Sequence, residues 1–422
     1  YEILSDLVGS EMCIRDSCLD SLTSSADTAV TQMRMPTSPT RPATAWPLYA
    51  LPSPGEAIRQ FTPNWFAVTM GTGILSLVLG QLPWPVPGAA LLGAGLWRCN
   101  VGLFVVFSAL YLARWALSPH EARRILAHPT ASMFLGTIPM GLATLINGLL
   151  LYGLPRWGAA VIPVATALWW MDAAMALACG VLVPYLMFTR QQHRMEQMTA
   201  LWLLPVVAAE VAAASAGALA PHLADAGSRF GMLVAGYVLW AYSVPVALGI
   251  LVILWLRMAL HQLPQASMAA SSWLALGPIG TGALGMLVFA GDAPALFAAH
   301  GMGTIGQAAA GCGLIAGLLL WGLGLWWLAL AILITARYFA DNVPFNLGWW
   351  GFTFPLGVYA LATLKLGAAL QMQVFDVVGS VLVLLLCVTW TIVAARTAAG
   401  AYRGTLFVAP CLVESSEHAP AR

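Results

Sequence analysis

Among the ionisable side chains inside the long apolar stretches of this 422-residue chain, Asp172, Glu210 and Lys365 are the most informative, while Asp376 reads as structural at the start of the tenth span and Arg98 shares the ambiguity of Lys365. An ionised acid at the centre of a lipid-facing helix costs roughly 2.5–3.5 kcal/mol on insertion scales, so Glu210 must face a protein interior or carry a proton. Two roles fit it, a carboxyl hydrogen-bonded to a neighbouring helix or a proton-coupling group beside a solute path. Asp172 reads as a polar contact between helices. Lys365 lies ten residues after Pro355, about 15 Å along a helix, where it would attract anions at a pore mouth or snorkel to the interface. Catalytic and metal chemistry find no cluster to use. The histidines fall in loops or at span ends and the seven cysteines form no C-x-x-C, so no disulfide, metal site or cofactor is expected.

A second pattern is spatial. Pro63, Pro139, Pro205, Pro278 and Pro355 are 76, 66, 73 and 77 residues apart, each in a segment rich in Gly and Ala. Proline removes a backbone donor, which lipid tolerates only where neighbouring helices or a water-filled cavity satisfy the freed carbonyls. The period fits one helical hairpin with its loops, so five proline kinks facing one axis are expected, and a pore with them. Small residues accompany the prolines: Gly71, Thr72 and Gly73, then Gly141 and Thr144, Ala209, Thr281 and Gly282, and Gly357. They either let helices pack closely or leave an open lumen, and both can hold on different faces of one helix. With the prolines they form the expected lining.

The elements that must carry these residues follow from composition. With 60% hydrophobic and 8% charged residues and a mean hydropathy of +0.81, the chain is far from the roughly 25% charge of soluble domains. It reads as an all-α integral membrane protein. About ten spans of about 20 residues fit between Phe61 and Arg396, centred near Thr69, Phe107, Leu142, Asp172, Ala209, Pro245, Gly282, Leu320, Tyr359 and Leu384. Odd spans are rich in Pro and Gly; even spans are bulkier in Trp, Phe and Leu, as an outer layer facing the lipid bilayer would be. Arginines gather before the first span and after each even one, which predicts cytoplasmic termini and an even number of spans. The net charge of +1 carries no information about partners, and the absence of a basic stripe or aromatic platform argues against nucleic acid.

Residues 1–17, YEILSDLVGSEMCIRDS, resemble a translated sequencing-adaptor read-through, with Met33 or Met35 as candidate starts. Residues 18–58, rich in Pro, Ser and Thr, are expected to form a disordered cytoplasmic tail. The transport domain is expected over 59–403, followed by a C-terminal tail at 404–422.

FTPNWFAVTMGTGILS (61–76), FLGTIPMGLATLING (134–148) and WWGFTFPLGVYALAT (349–363) resemble the tellurite-resistance/C4-dicarboxylate transporter family, which includes plant slow anion channels and fungal malate and sulfite transporters. The resemblance covers essentially Arg59 to Arg403. It implies five helical hairpins about a pseudo-five-fold central pore, often assembled as a trimer, with small organic or inorganic anions as the transported partners. It also implies that a phenylalanine on the ninth span plugs the pore. The matching residue is Phe354, just before the proline, with Phe352 the alternative. C4-dicarboxylates such as malate are the first expected substrates, with sulfite or tellurite-related oxyanions behind. No basic ring lines the odd spans, which suits conduction, since strong fixed positive charge would trap an anion. Selectivity would then rest on bore and on hydroxyls such as Thr72, Thr144 and Thr281. The rival classes are an integral-membrane enzyme, which would need a polar cluster at one membrane face, and a scaffold with no path between the odd spans.

Overall fold

The computed structural model describes residues 46–340, 343–409 and 411–412. All regular elements among them are helical. Ten helices carry the architecture: α1 (Phe66–Leu79), α2 (Ala89–Leu117), α3 (Thr137–Gly148), α4 (Val161–Thr189), α5 (Leu204–Leu219), α6 (Ala226–His261), α7 (Leu276–Ala298), α8 (Gly303–Phe339), α9 (Phe354–Leu370) and α10 (Gln373–Arg403). Each centre expected from the sequence falls inside one of them. Eight helical stretches are long and apolar enough to cross a membrane, and Pro63–Leu79 is a shorter apolar helix. The 59-residue stretch Ala131–Thr189 far exceeds the length of one span. A π-turn at Leu149–Gly153 and Gly158, at φ +65°, reverse the chain there, so that α3 and α4 pack on each other. The protein is therefore a multi-pass helical membrane protein.

The five prolines lie where a short helical turn passes into the main helix of each odd span. Pro205 and Pro355 occupy the first two positions of α5 and α9, Pro139 and Pro278 lie in the first turns of α3 and α7, and Pro63 opens a 3₁₀ turn leading into α1. A missing N–H costs little in a first turn, where the donor has no intrahelical partner.

Packing separates the odd helices from the even. Helix α1 contacts α3, α3 contacts α5, α5 contacts α7, α7 contacts α9, and α9 contacts α1. Every even helix lies against two successive odd ones: α2 against α1 and α3, and so on to α10 against α9 and α1. In their most apolar windows the stretches holding α5, α7 and α9 are 94%, 72% and 78% buried, against 22–33% for those holding α2, α6, α8 and α10.

A tryptophan on each even helix ties it to the following odd helix through its indole N–H. Trp97 donates to Leu145 O at 3.2 Å, Trp169 to Ala212 O at 2.9 Å, Trp240 to Gly282 O at 2.9 Å, Trp321 to Thr363 Oγ1 at 2.9 Å and Trp390 to Thr72 Oγ1 at 3.2 Å. The last joins α10 to α1. Buried indoles need such a partner, and lipid on the other side offers none.

Part of the expected disordered tail is structured. Leu48 N–H donates to Tyr402 O at 2.7 Å and Ala50 N–H to Arg403 O at 3.0 Å, while Arg59 pairs with Glu121 at 2.7 Å. The two backbone bonds hold the segment around Leu48 and Ala50 against the end of α10, and the ion pair ties Arg59 to the helix Pro119–Ala127; the Pro, Ser and Thr content of the tail did not reveal this order. The remainder of that tail, 18–45, and the adaptor-like residues 1–17 lie outside the described residues, as do 413–422. The described C-terminal residues also pack: Phe407 stacks on Trp65 with ring centroids 4.8 Å apart, and Ala409 N–H donates to Gln60 Oε1 at 2.8 Å.

Candidate functional site: two cavities that meet at Phe354

Two cavities are lined by residues from all five odd helices. One, of about 440 Å³, lies at the end where those helices begin; the other, of about 600 Å³, lies towards the end where they finish. Phe354 lines both. It is 3% exposed and sits at the first position of α9, with Pro355 fixing the backbone behind it. Phe352 lines neither cavity and packs between Trp273 and Trp349, at centroid distances of 5.7 and 5.8 Å.

The lining follows helical phase. Along α9 it runs Phe354, Val358, Leu361, Lys365; along α1, Ala67, Met70, Ile74, Leu77; along α3, Thr137, Met140, Thr144, Asn147; along α5, Leu204, Val207, Val211, Ala214. Steps of three and four residues keep one face of each helix towards the cavities. On α7, Gly277, Thr281 and Leu284 keep the same phase.

Of the residues expected to line a pore, Thr144, Thr281 and Pro355 line one of these cavities, Lys365 lines the larger and Phe354 lines both. Pro63, Pro139, Pro205, Pro278 and Ala209 line neither cavity. The small residues Gly71, Gly73, Gly141, Gly282 and Gly357 face other helices. A Cβ at Gly71 would meet Trp350 and Thr353, at Gly73 Thr144 and Asn100, at Gly141 Thr69, at Gly282 Leu320 and Val244, and at Gly357 Ile74. Thr72 accepts the Trp390 indole and so faces α10. For these residues close helix packing prevails over an open lumen.

The chain matches the family model described as voltage-dependent anion channel over residues 60–398. It belongs to that family. This anion-channel family member is 38% identical over 343 residues to the sulfite efflux pump of Arthroderma otae, covering 81% of this chain and 91% of the relative. It is 28% identical over 362 residues to an uncharacterized transporter of Methanocaldococcus jannaschii, covering 85% and 99% of the two chains. The malic acid transport protein of Schizosaccharomyces pombe is 25% identical over 348 residues, covering 79% and 77%. The family is one of transporters and channels, so the protein is not an enzyme.

For an anion-channel family member the charges are unevenly placed. Among the described residues the smaller cavity is lined by no charged or histidine side chain, its polar groups being neutral ones such as Asn64, Thr137 and Ser271. The larger holds Lys365, Asp292 and His222. Glu210 lines neither cavity. It is fully buried between α5 and α6, where Ser243 Oγ approaches its Oε2 at 3.4 Å. Asp172 is equally buried, and neither of its oxygens has a hydrogen-bond partner among the described residues. An ionised carboxylate so enclosed would lack the partners that buried charge requires.

Proposed function

We propose that this chain is a gated permease for small anions, with sulfite ahead of C4-dicarboxylates and export as the direction. One observation carries the mechanism: a single aromatic ring, Phe354, lies at the junction of two cavities whose walls come from the same five helices. In this reading the five hairpins stand about a pseudo-five-fold axis, the cavities are the two halves of one path, and Phe354 is its gate. The cyclic packing of the odd helices and the repeated tryptophan bond support that symmetry. The order of substrates departs from the one expected from sequence. Its support is that relatives named sulfite efflux pumps reach 37–38% identity, whereas the one named for malic acid stands at 25%.

Both termini are cytoplasmic in this proposal and the membrane is the plasma membrane. The arginines before α1 and after the even helices support the first. An anion would enter the uncharged cavity, pass Phe354 when the ring moves aside, and leave by the Lys365 cavity. Neutral hydroxyls and amides on the entry side hold an anion weakly enough to release it. The test is anion flux in proteoliposomes across sulfite, malate, succinate, nitrate and chloride. Sulfite should be carried fastest; a protein that moves malate and leaves sulfite behind would reverse the order, and one that moves none would remove the permease reading.

A further inference from the structure

Buried threonines on the inner helices mostly engage their own hydroxyl hydrogen with the helix they stand on. Thr69 donates to Phe66 O at 2.7 Å, Thr144 to Gly141 O at 2.7 Å and Thr363 to Tyr359 O at 2.7 Å. Thr281 does not. It is 1% exposed, its Oγ1 has no hydrogen-bond partner among the described residues, and it lines the larger cavity together with Phe354. The other neutral polar side chains of that cavity each have a donor engaged within the protein: Thr144 as above, Asn147 Nδ2 on Ser215 Oγ at 2.9 Å, and Gln81 Nε2 on Leu77 O at 3.2 Å.

The level of Thr281 is fixed by its neighbour. A Cβ on Gly280 would lie 2.9 Å from Tyr359 N, so Thr281 stands near Tyr359, five residues and about 7.5 Å past Phe354 along α9. A buried hydroxyl without a partner requires an explanation, and the cavity that Thr281 lines offers one in whatever occupies it. Its free hydrogen is a donor, and donors bond anionic oxygens more strongly than neutral ones.

We propose that Thr281 Oγ donates to the transported oxyanion just beyond the Phe354 constriction and is thereby a specificity-determining residue. The proposal rests on the permease reading and names the contact that reading lacks. One neutral donor binds without a fixed charge, so the ion is recognised and still released.

The experiment uses the full-length protein in proteoliposomes, with sulfite as the probe and half-saturation as the readout, comparing wild type, Thr281→Val and Thr281→Ser. Valine keeps the shape and bore while removing the donor; serine keeps the donor. Thr281→Val should raise half-saturation about tenfold, the weight of one hydrogen bond to a charged group, and Thr281→Ser should stay within about twofold. Binding is read separately as the sulfite-induced rise in the melting midpoint of the solubilised protein, which Val should lose and Ser keep. This second readout serves even if the valine variant conducts poorly, and Thr281→Ala replaces it if it fails to assemble. Equal half-saturation and an equal sulfite-induced shift in wild type and Val would overturn the proposal and leave the hydroxyl to water. If wild type carries malate and not sulfite, the substrate order falls, and the same Val and Ser comparison with malate decides Thr281. A wild type that carries neither overturns both.

Discussion

A single methyl group added at Gly73 should damage this protein far more than the same methyl at Gly102. Gly73 on α1 lies where α2 and α3 converge: its added Cβ would overlap the Thr144 side chain and stand 2.7 Å from Asn100 Nδ2. Neither neighbour can yield freely. Thr144 is β-branched and stiff at χ1, it donates to Gly141 O at 2.7 Å, and it accepts from Asn100 Nδ2 at 3.1 Å. Overpacking of this kind costs about 1–3 kcal/mol, and loss of the Asn100–Thr144 bond adds about 1 kcal/mol. Gly73→Ala should therefore lose about 2–4 kcal/mol. At Gly102, on α2, no atom lies within 4 Å of the added Cβ, and alanine should gain up to about 1 kcal/mol as the better helix former. The assay is the unfolding midpoint of both variants in one detergent, followed by circular dichroism. A Thr144→Gly partner should recover part of the loss, the signature of a direct contact. If Gly73→Ala and Gly102→Ala unfold together, the α1–α3 contact is not the close approach on which this packing rests.

Lys365 is exposed in the larger cavity, so Lys365→Gln should slow anion flux at low ionic strength and approach wild type as salt screens the charge; a deficit independent of salt would contradict an electrostatic role. Glu210→Gln should leave the melting midpoint and the pH dependence of flux unchanged, because the residue lines neither cavity and the glutamine amide can donate to Ser243 Oγ, whose own hydrogen goes to Val206 O; a lost pH dependence would restore proton coupling through Glu210. The Arg59 guanidinium beside Glu121 holds that carboxyl below its ordinary range. A depressed acid stabilises the fold above its unfolded pKa and loses that contribution as pH falls through the folded value. The pair is partly exposed and contributes at most about 1 kcal/mol, so Glu121→Gln should lower the neutral-pH midpoint slightly and converge with wild type in acid. A gap that persists in acid would assign the effect to something other than the pair.

Hydropathy and the proline period located all ten helices, and the family resemblance pointed to Phe354, the residue that lines both cavities. The lining was not. Gly71, Gly73, Gly141, Gly282 and Gly357 were selected by size, and small residues in lipid serve helix contact as readily as a lumen. Counting in steps of three and four from Phe354 would have found Val358, Leu361 and Lys365, since one helix face carries them all. The tryptophan series was visible as letters, but nothing in the spacing of Trp97, Trp169, Trp240, Trp321 and Trp390 says that each indole N–H points inward. The ordered part of the N-terminal tail depends on backbone bonds to Tyr402 and Arg403, contacts more than 300 residues away in sequence, to which composition is blind.

The measurement that tests the gate most directly is basal anion flux through Phe354→Ala against Phe352→Ala, each confirmed as correctly assembled. Removing the Phe354 ring would open the two cavities into each other, so flux should rise for several anions together, since a wider constriction adds no binding group. Phe352→Ala, which removes a ring packed between Trp273 and Trp349, should change flux far less. A rise with Phe352→Ala and none with Phe354→Ala, or no rise with either, would contradict the assignment of Phe354 as the gate.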